Sequence, residues 1–319
     1  MDGILIIDKP AGFTSHDVVA RLRRILQTKR IGHTGTLDPF ATGVLVMLVG
    51  RATRLAQFLD RDKKEYEAVV RFGFATDTGD RTGAPKPVSD AGFQVSGFRF
   101  QVSDSRLQIT NEEIENALKN FRGEIEQTPP MYSAKKIDGV KLYELARKGI
   151  EIERKAVRIT NYELRITNYE SPKTDDAGRK TQDFGLRVIC SAGTYIRTLA
   201  EDIGKQLAVG AHLAELRRTK AGKFDLKQAV TIEELETIVA ANRLNDVLIS
   251  MNEAISHLPP VVLSERDVED AKNGKRRRIE NATLEDNQTV RMIDEAENLI
   301  AIGFYKAQEK SIQPKLVLV

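Results

Sequence analysis

Between Gly32 and Gly43 the chain sets His33, Thr34, Thr36, Asp38 and Thr42 among three glycines and a proline, the densest run of chemistry-bearing residues in its 319 positions. The run is not a phosphate loop, because the Lys-Ser/Thr ending of that motif is missing, and its glycines read as turn formers. On spacing alone, Asp38 before Pro39 reads as a helix N-cap with proline at the first helical position. Tyr66 reads as a strand aromatic in the core, His33 as a turn residue bonded to backbone, and Lys9 as a solvated turn lysine. Tyr195 and Arg197 lie two apart, which puts them on one face of an extended segment and offers a guanidinium to a buried carboxylate. Nowhere do His, Cys, Asp and Glu cluster at metal-ligand spacing, and no serine or cysteine sits in a nucleophile elbow. Catalysis by this chain would therefore run on a carboxylate, with no metal and no cofactor.

The elements that must position these residues can be read from periodicity. Ile4–Ile7 and Val44–Val49 are short apolar runs bounded by turn residues and predict buried strands. Thr14 to Asp17 supplies cap-type residues before Val18, Val19, Leu22, Ile25 and Leu26 at helical spacing. The segment from Glu65 to Phe72 alternates like a half-buried strand, and Leu186 to Ser191 predicts another. Ile114–Phe121, Val140–Arg147 and Tyr195–Leu207 predict helices. Strands and helices mix without a steady βαβ alternation, so the expected class is α+β. Leu258-Pro259-Pro260 breaks the chain, which places a catalytic domain at 1–250 and a small β-rich domain at 251–319. Two tandem heptapeptide duplications, Phe93–Arg99 with Phe100–Arg106 and Arg158–Leu164 with Arg165–Ser171, predict extra insertions at about 86–110 and 158–183 on the edge of the fold. Ser171–Asp183 reads as a mobile loop.

Charge bounds the partners. The chain carries 49 Lys plus Arg against 46 Asp plus Glu, but residues 1–65 hold 11 basic and 7 acidic side chains, 119–158 hold 10 and 6, and 197–227 hold 7 and 4. Three basic segments could form one face for a phosphate backbone, or they could be ordinary solvated faces. One cysteine, Cys190, leaves no intramolecular disulfide. The longest apolar run is far shorter than the roughly 18 residues of a membrane span, and the acidic N-terminal flank is unlike a secretory signal, so a cytoplasmic protein is expected.

The Gly32–Gly43 run resembles the signature of the TruB family of tRNA pseudouridine synthases. Asp8-Lys9-Pro10-x-Gly12, Lys64-x-Tyr66, Thr76-Asp77-Thr78-x-Asp80, Thr128 to Ala134, Gly193 to Leu199 and Gly210 to Arg218 follow in family order, so the resemblance spans residues 3 to about 225. The tail is similar to a PUA domain through Leu263-Ser264, Asn273-Gly274-Lys275 and Ile300 to Gly303. This implies a pseudouridine synthase fold, with a central mixed, largely antiparallel sheet flanked by helices and a small PUA-like domain. The implied activity is isomerisation of uridine 55 in the tRNA T-loop, without cofactor or metal.

In the family pattern the catalytic aspartate falls on Asp38, with Arg197 as its partner and Tyr195 placed to assist proton removal from C5. Tyr66 resembles the tyrosine that stacks on the flipped base, His33 the histidine that helps fill the vacated space, and Leu216 a wall of the pocket. Lys9 would support the site. The segment of about 124–152 resembles an RNA-clamping insertion of stand-alone bacterial enzymes, and Lys135, Lys136, Arg217, Arg218, Lys275, Arg276 and Arg277 would contact RNA. A monomer acting on the tRNA T-arm, with no obligate protein partner and no membrane, follows. The rivals are a non-catalytic tRNA-folding chaperone, a guide-RNA-dependent relative, and a glycosylase that would release free uracil.

Overall fold

The structure, a computed structural model, describes residues 1–86, 94–95, 98–99, 108–137, 139–279 and 283–319. Its larger sheet is built on β1 (Gly3–Lys9), β2 (Ile31–Thr34), β3 (Thr42–Val49), β4 (Lys64–Phe72), β5 (Gly123–Gln127), β6 (Val157–Tyr169), β7 (Lys180–Cys190) and β8 (Ala211–Ala221). The strands run in the order β1-β3-β8-β4-β7-β6-β5, with β2 paired to β3. All these pairs are antiparallel except β3 with β8, so the sheet is mixed and largely antiparallel as expected.

The unbroken apolar runs of β1 and β3 arise because both faces are covered. Leu5, Ile7, Leu45, Met47 and Val49 enter a core with Val18 and Leu22 of α1 (Ser15–Ile25). Ile4, Ile6, Val44, Val46 and Leu48 pack with Ile293, Leu299, Ile302 and Leu318 of the tail. The tail is a five-stranded sheet around the helix Glu265–Lys272, and the β-rich expectation holds. α1 starts where its cap residues place it: Thr14 Oγ1 accepts the Asp17 N–H, and the Asp17 carboxylate accepts the Thr14 N–H in return.

α2 (Ile196–Gln206) lies against β8 at a close approach, since a Cβ on Gly204 would stand 2.5 Å from the Ala211 Cβ. Gly43 is the second such point. With φ +100° and a would-be Cβ 2.2 Å from the Arg218 carbonyl oxygen, it is where β3 crosses onto β8.

The second duplication is built into the sheet as most of β6, a 13-residue strand that pairs through Val157–Asn161 with β5 on one side and through Asn161–Tyr169 with β7 on the other, so its second copy runs along an edge. A seven-residue repeat is odd, so a regular strand would turn the second copy over. A register shift between Asn161 and Glu163 restores the facing: Ile159 is buried and Ile166 packs against the core. The Ser171–Asp183 stretch is not a loop: Lys173–Thr174 pairs with Lys180 and Thr181, and Asp183 is fastened by Arg71 at 2.7 Å and Lys173 at 2.9 Å. The first duplication lies outside the described residues except for Gln94–Val95 and Phe98–Arg99, which pair antiparallel. Val140–Arg147 is helical only over Leu142–Ala146; Val140–Lys141 pairs with Lys136–Ile137.

Candidate active site

The turn between β2 and β3 carries Asp38, and it is not a helix N-cap. No helix follows Pro39; β3 follows instead, with the Asp38 carbonyl accepting the Ala41 N–H at 3.1 Å. The turn is tied down from several sides. Ser15 Oγ accepts the Leu37 N–H at 2.9 Å, Asp60 accepts the Gly35 N–H at 3.0 Å, and the Pro39 carbonyl accepts the Gly12 N–H at 2.8 Å.

Opposite stands Arg197, the second residue of α2, its side chain only 5% exposed. Its Nε and Nη2 grip both oxygens of Asp38 at 2.8 and 3.0 Å, the bidentate fork that guanidinium and carboxylate favour. Nη2 also donates to the Tyr132 carbonyl at 2.7 Å and Nη1 to the Thr78 carbonyl at 2.8 Å, while the buried Asp80 carboxylate lies 3.8 Å from Nη1. Asp80 accepts in turn from the Thr78 hydroxyl and from the Thr82 N–H and hydroxyl. Burial pushes the Asp38 carboxyl upward and Asp80 adds to this, while the Arg197 guanidinium opposes both. With 32% of its side chain exposed, Asp38 faces open space.

That space is a cleft of about 490 Å³ lined by His33, Asp38, Lys64, Tyr66, Tyr195, Arg197 and Leu216, within the size range of small-molecule sites. The alternation of β4 sends Lys64 and Tyr66 inward, and Tyr66 meets the Arg218 side chain. Burial pushes the Tyr66 and Tyr195 phenols upward. His33 lies edge-on to His16, and its Nδ1 is buried without a partner. Burial, with His16 and Arg218 adding, pushes it down to about 4, so the ring is neutral at physiological pH. Tyr195 and Arg197 do not share an extended face: Tyr195 is the N-cap position of α2 and Arg197 is inside the helix.

The sequence brings Asp38, Tyr195, Arg197, Tyr66, His33 and Leu216 to one cleft. Lys9 is a correction: it is fully buried and neither solvated nor in the cleft. Its Nζ donates to the carbonyls of Pro10, Phe13 and Pro39, so it braces the Asp38 turn from behind, and burial pushes it down to about 8. Arg218 is a second correction. Its guanidinium donates to the Val44 and Gly35 carbonyls inside the protein and presents nothing to a phosphate.

Arg217 pairs with Asp8 and lines a different hollow beside Glu67 and Glu215. Lys275, Arg276 and Arg277 each carry an acidic partner, Asp270, Glu309 and Asp267. Among the described residues, Lys135 and Lys136 have none. The basic surplus is thus partly internal, because Lys9, Lys64, Arg197 and Arg218 are all buried. Residue types did not single out Asp80, Tyr132 or Gln127. For the first two the signal was their place in recurring motifs; for Gln127 a lone glutamine at a strand end gave none.

Among the described residues no helix is long and apolar enough to cross a membrane. Residues 23–196 match the model of the TruB family pseudouridylate synthase N-terminal domain, and 197–256 that of the tRNA pseudouridylate synthase B C-terminal domain. The chain is 42% identical over 275 residues to tRNA pseudouridine synthase B of Solibacter usitatus (strain Ellin6076), covering 86% of this chain and 85% of that one. It is 41% identical over 274 residues to the protein of that name from Bacillus cytotoxicus, covering 86% and 83%. A crystal structure of a Cbf5-Nop10-Gar1 complex contains a chain that aligns over 99% of this one and 85% of itself, with a TM-score of 0.71 and 26% identity.

Proposed function

The chain belongs to the TruB family of pseudouridylate synthases, and we propose that it isomerises uridine 55 of the tRNA T-loop to pseudouridine with Asp38 as the attacking carboxylate. The reaction breaks the N1–C1′ bond, forms C5–C1′, and moves one proton off C5 and one onto N1, so no oxidant or co-substrate is consumed. While base and sugar are apart, a carboxylate can hold the sugar by adding to C1′, hold the base by adding to C6, or stabilise the cation-like sugar. The observation that carries this reading is Asp38 gripped at both oxygens by Arg197 on the wall of an open cleft, with Tyr66 among the lining residues.

A uridine inside the T-loop is stacked, and turning it out costs a few kcal/mol. Stacking on Tyr66 offsets part of that, at roughly 1–3 kcal/mol per base. His33, neutral and partnerless at Nδ1, takes up the space the base leaves. Tyr195 assists removal of the C5 proton, and Leu216 walls the base. No cofactor enters.

The enzyme works in the cytoplasm as a monomer that recognises the T-arm by shape and phosphate contacts, as proteins recognise structured RNA. The 124–152 insertion clamps the arm with Lys135 and Lys136, and residues 251–319 form a PUA-like RNA-binding domain beyond a catalytic domain of 1–250. The test is an unmodified tRNA transcript incubated with the purified protein and read by carbodiimide-dependent primer-extension stops. The wild type is expected to give one stop in the T-loop and Asp38→Asn none. A wild type without the stop, or an active Asp38→Asn, refutes the assignment.

A further inference from the structure

A glutamine side chain buried away from water costs free energy unless both ends of its carboxamide are bonded. Gln127, the last residue of β5, is only 1% exposed and has both ends bonded to one residue. Its Oε1 accepts the Tyr195 N–H at 2.8 Å, and its Nε2 donates to the Tyr195 carbonyl at 3.0 Å. The carboxamide thus acts as a short strand partner for one residue, 68 positions away. Tyr195 stands at the start of α2 and makes no side-chain cap of its own; its carbonyl also accepts the Leu199 N–H at 3.1 Å, and Gln127 supplies the acceptor for its N–H.

The chain leaving Gln127 returns to the same point once more. Five residues on, the Tyr132 carbonyl takes an N–H of Arg197 at 2.7 Å. The root of the 124–152 insertion is therefore fastened to the two cleft residues at the head of α2, with Gln127 as the first fastening.

We propose that Gln127 is a positioning residue for the isomerisation: its carboxamide fixes the Tyr195 backbone and thereby where the Tyr195 phenol and the Arg197 guanidinium stand against the reacting base. The inference rests on the activity proposed above. Near-attack geometry is lost steeply, about 100-fold for a misplacement of about 1 Å. Removing the carboxamide should therefore act on chemistry rather than on docking.

The experiment measures the single-turnover rate on a tRNA transcript, tRNA affinity and the thermal midpoint for wild type, Gln127→Leu and Gln127→Glu. Gln127→Glu keeps an acceptor for the Tyr195 N–H and, as a carboxylate, cannot donate to its carbonyl, and it introduces no cavity. Gln127→Leu is expected to slow turnover roughly 10- to 100-fold with tRNA affinity within about threefold, and Gln127→Glu to fall between it and wild type. In a Tyr195→Phe background the same Gln127→Leu change should cost clearly less, because the two residues act through one geometry. Turnover unchanged in Gln127→Leu, affinity falling in step with the rate, or an equal cost in both backgrounds would overturn the proposal. An inactive wild type would instead strike the activity itself.

Discussion

Replacing Arg197 should move the acid limb of the rate profile to higher pH. Arg197 gives Asp38 two charge-assisted hydrogen bonds at 2.8 and 3.0 Å and stands between it and Asp80. An opposite charge at that range lowers a carboxyl by roughly 1–3 units, each worth about 1.4 kcal/mol. Arg197→Gln removes that support and leaves Asp80 facing Asp38 without a cation between them. Both changes push the Asp38 carboxyl further in the direction burial already takes it. Asp38 attacks as a carboxylate, so a higher pKa means more of it is protonated at a given pH, and turnover fails earlier as pH falls. The acid limb should therefore rise by about 1–3 pH units. Arg197→Lys, which keeps a point charge but not the fork, should rise less.

Release of tritium from tRNA carrying 5-tritiated uridine, under single turnover between pH 5 and 9, reads the limb directly. Breaking a buried pair costs about 3–5 kcal/mol of stability, so melts of each variant at each pH accompany the rates. A limb that stays in place or moves down in a folded Arg197→Gln protein would refute the reasoning.

Tyr66→Leu should slow turnover about 5- to 150-fold, the equivalent of the roughly 1–3 kcal/mol of one base stack. The tRNA dissociation constant should stay within about threefold, because the arm docks before the base turns out; an equal loss of both in a binding titration would contradict this. Neutralising Lys135 and Lys136 together should lower the slope of log affinity against log salt by about 2. Neutralising Lys275, Arg276 and Arg277 should change it less, since Asp270, Glu309 and Asp267 already accompany those cations. The reverse order would move the main phosphate contacts to the tail.

What the sequence made legible follows from how each signal arises. Runs such as Ile4–Ile7 and Val44–Val49 are written by burial on both faces, which leaves no polar interruption to mislead. β6 was misread because an odd repeat contradicts the period of a strand, and only the register shift at Asn161 and Glu163, which has no local signature, reconciles them. Asp38 was visible as a residue but not as a site: Asp-Pro suits a helix start equally well, and family order rather than spacing separated the two. Lys9 and Arg218 looked like surface cations because residue type carries no depth. Their carbonyl partners, Phe13 and Pro39 for one and Gly35 and Val44 for the other, belong to turns and strand ends that meet only in the folded sheet.

The site exists because of one irregularity in the sheet. An all-antiparallel order would not set the end of the Asp38 turn beside the strand that leaves α2. The parallel contact of Thr42 with Arg217 and Gly43 with Arg218 does so, and it requires Gly43, since no Cβ fits 2.2 Å from a carbonyl oxygen. From that contact the chain runs back four residues to Asp38, while β8 runs back through Ala211 to the α2 helix that carries Arg197. Arg218 fills the joint and ties the carbonyls of both flanks of the turn, Gly35 and Val44, to β8. A cation that was expected to meet RNA instead holds the geometry in which a carboxylate and a guanidinium 159 positions apart meet at the wall of one cleft.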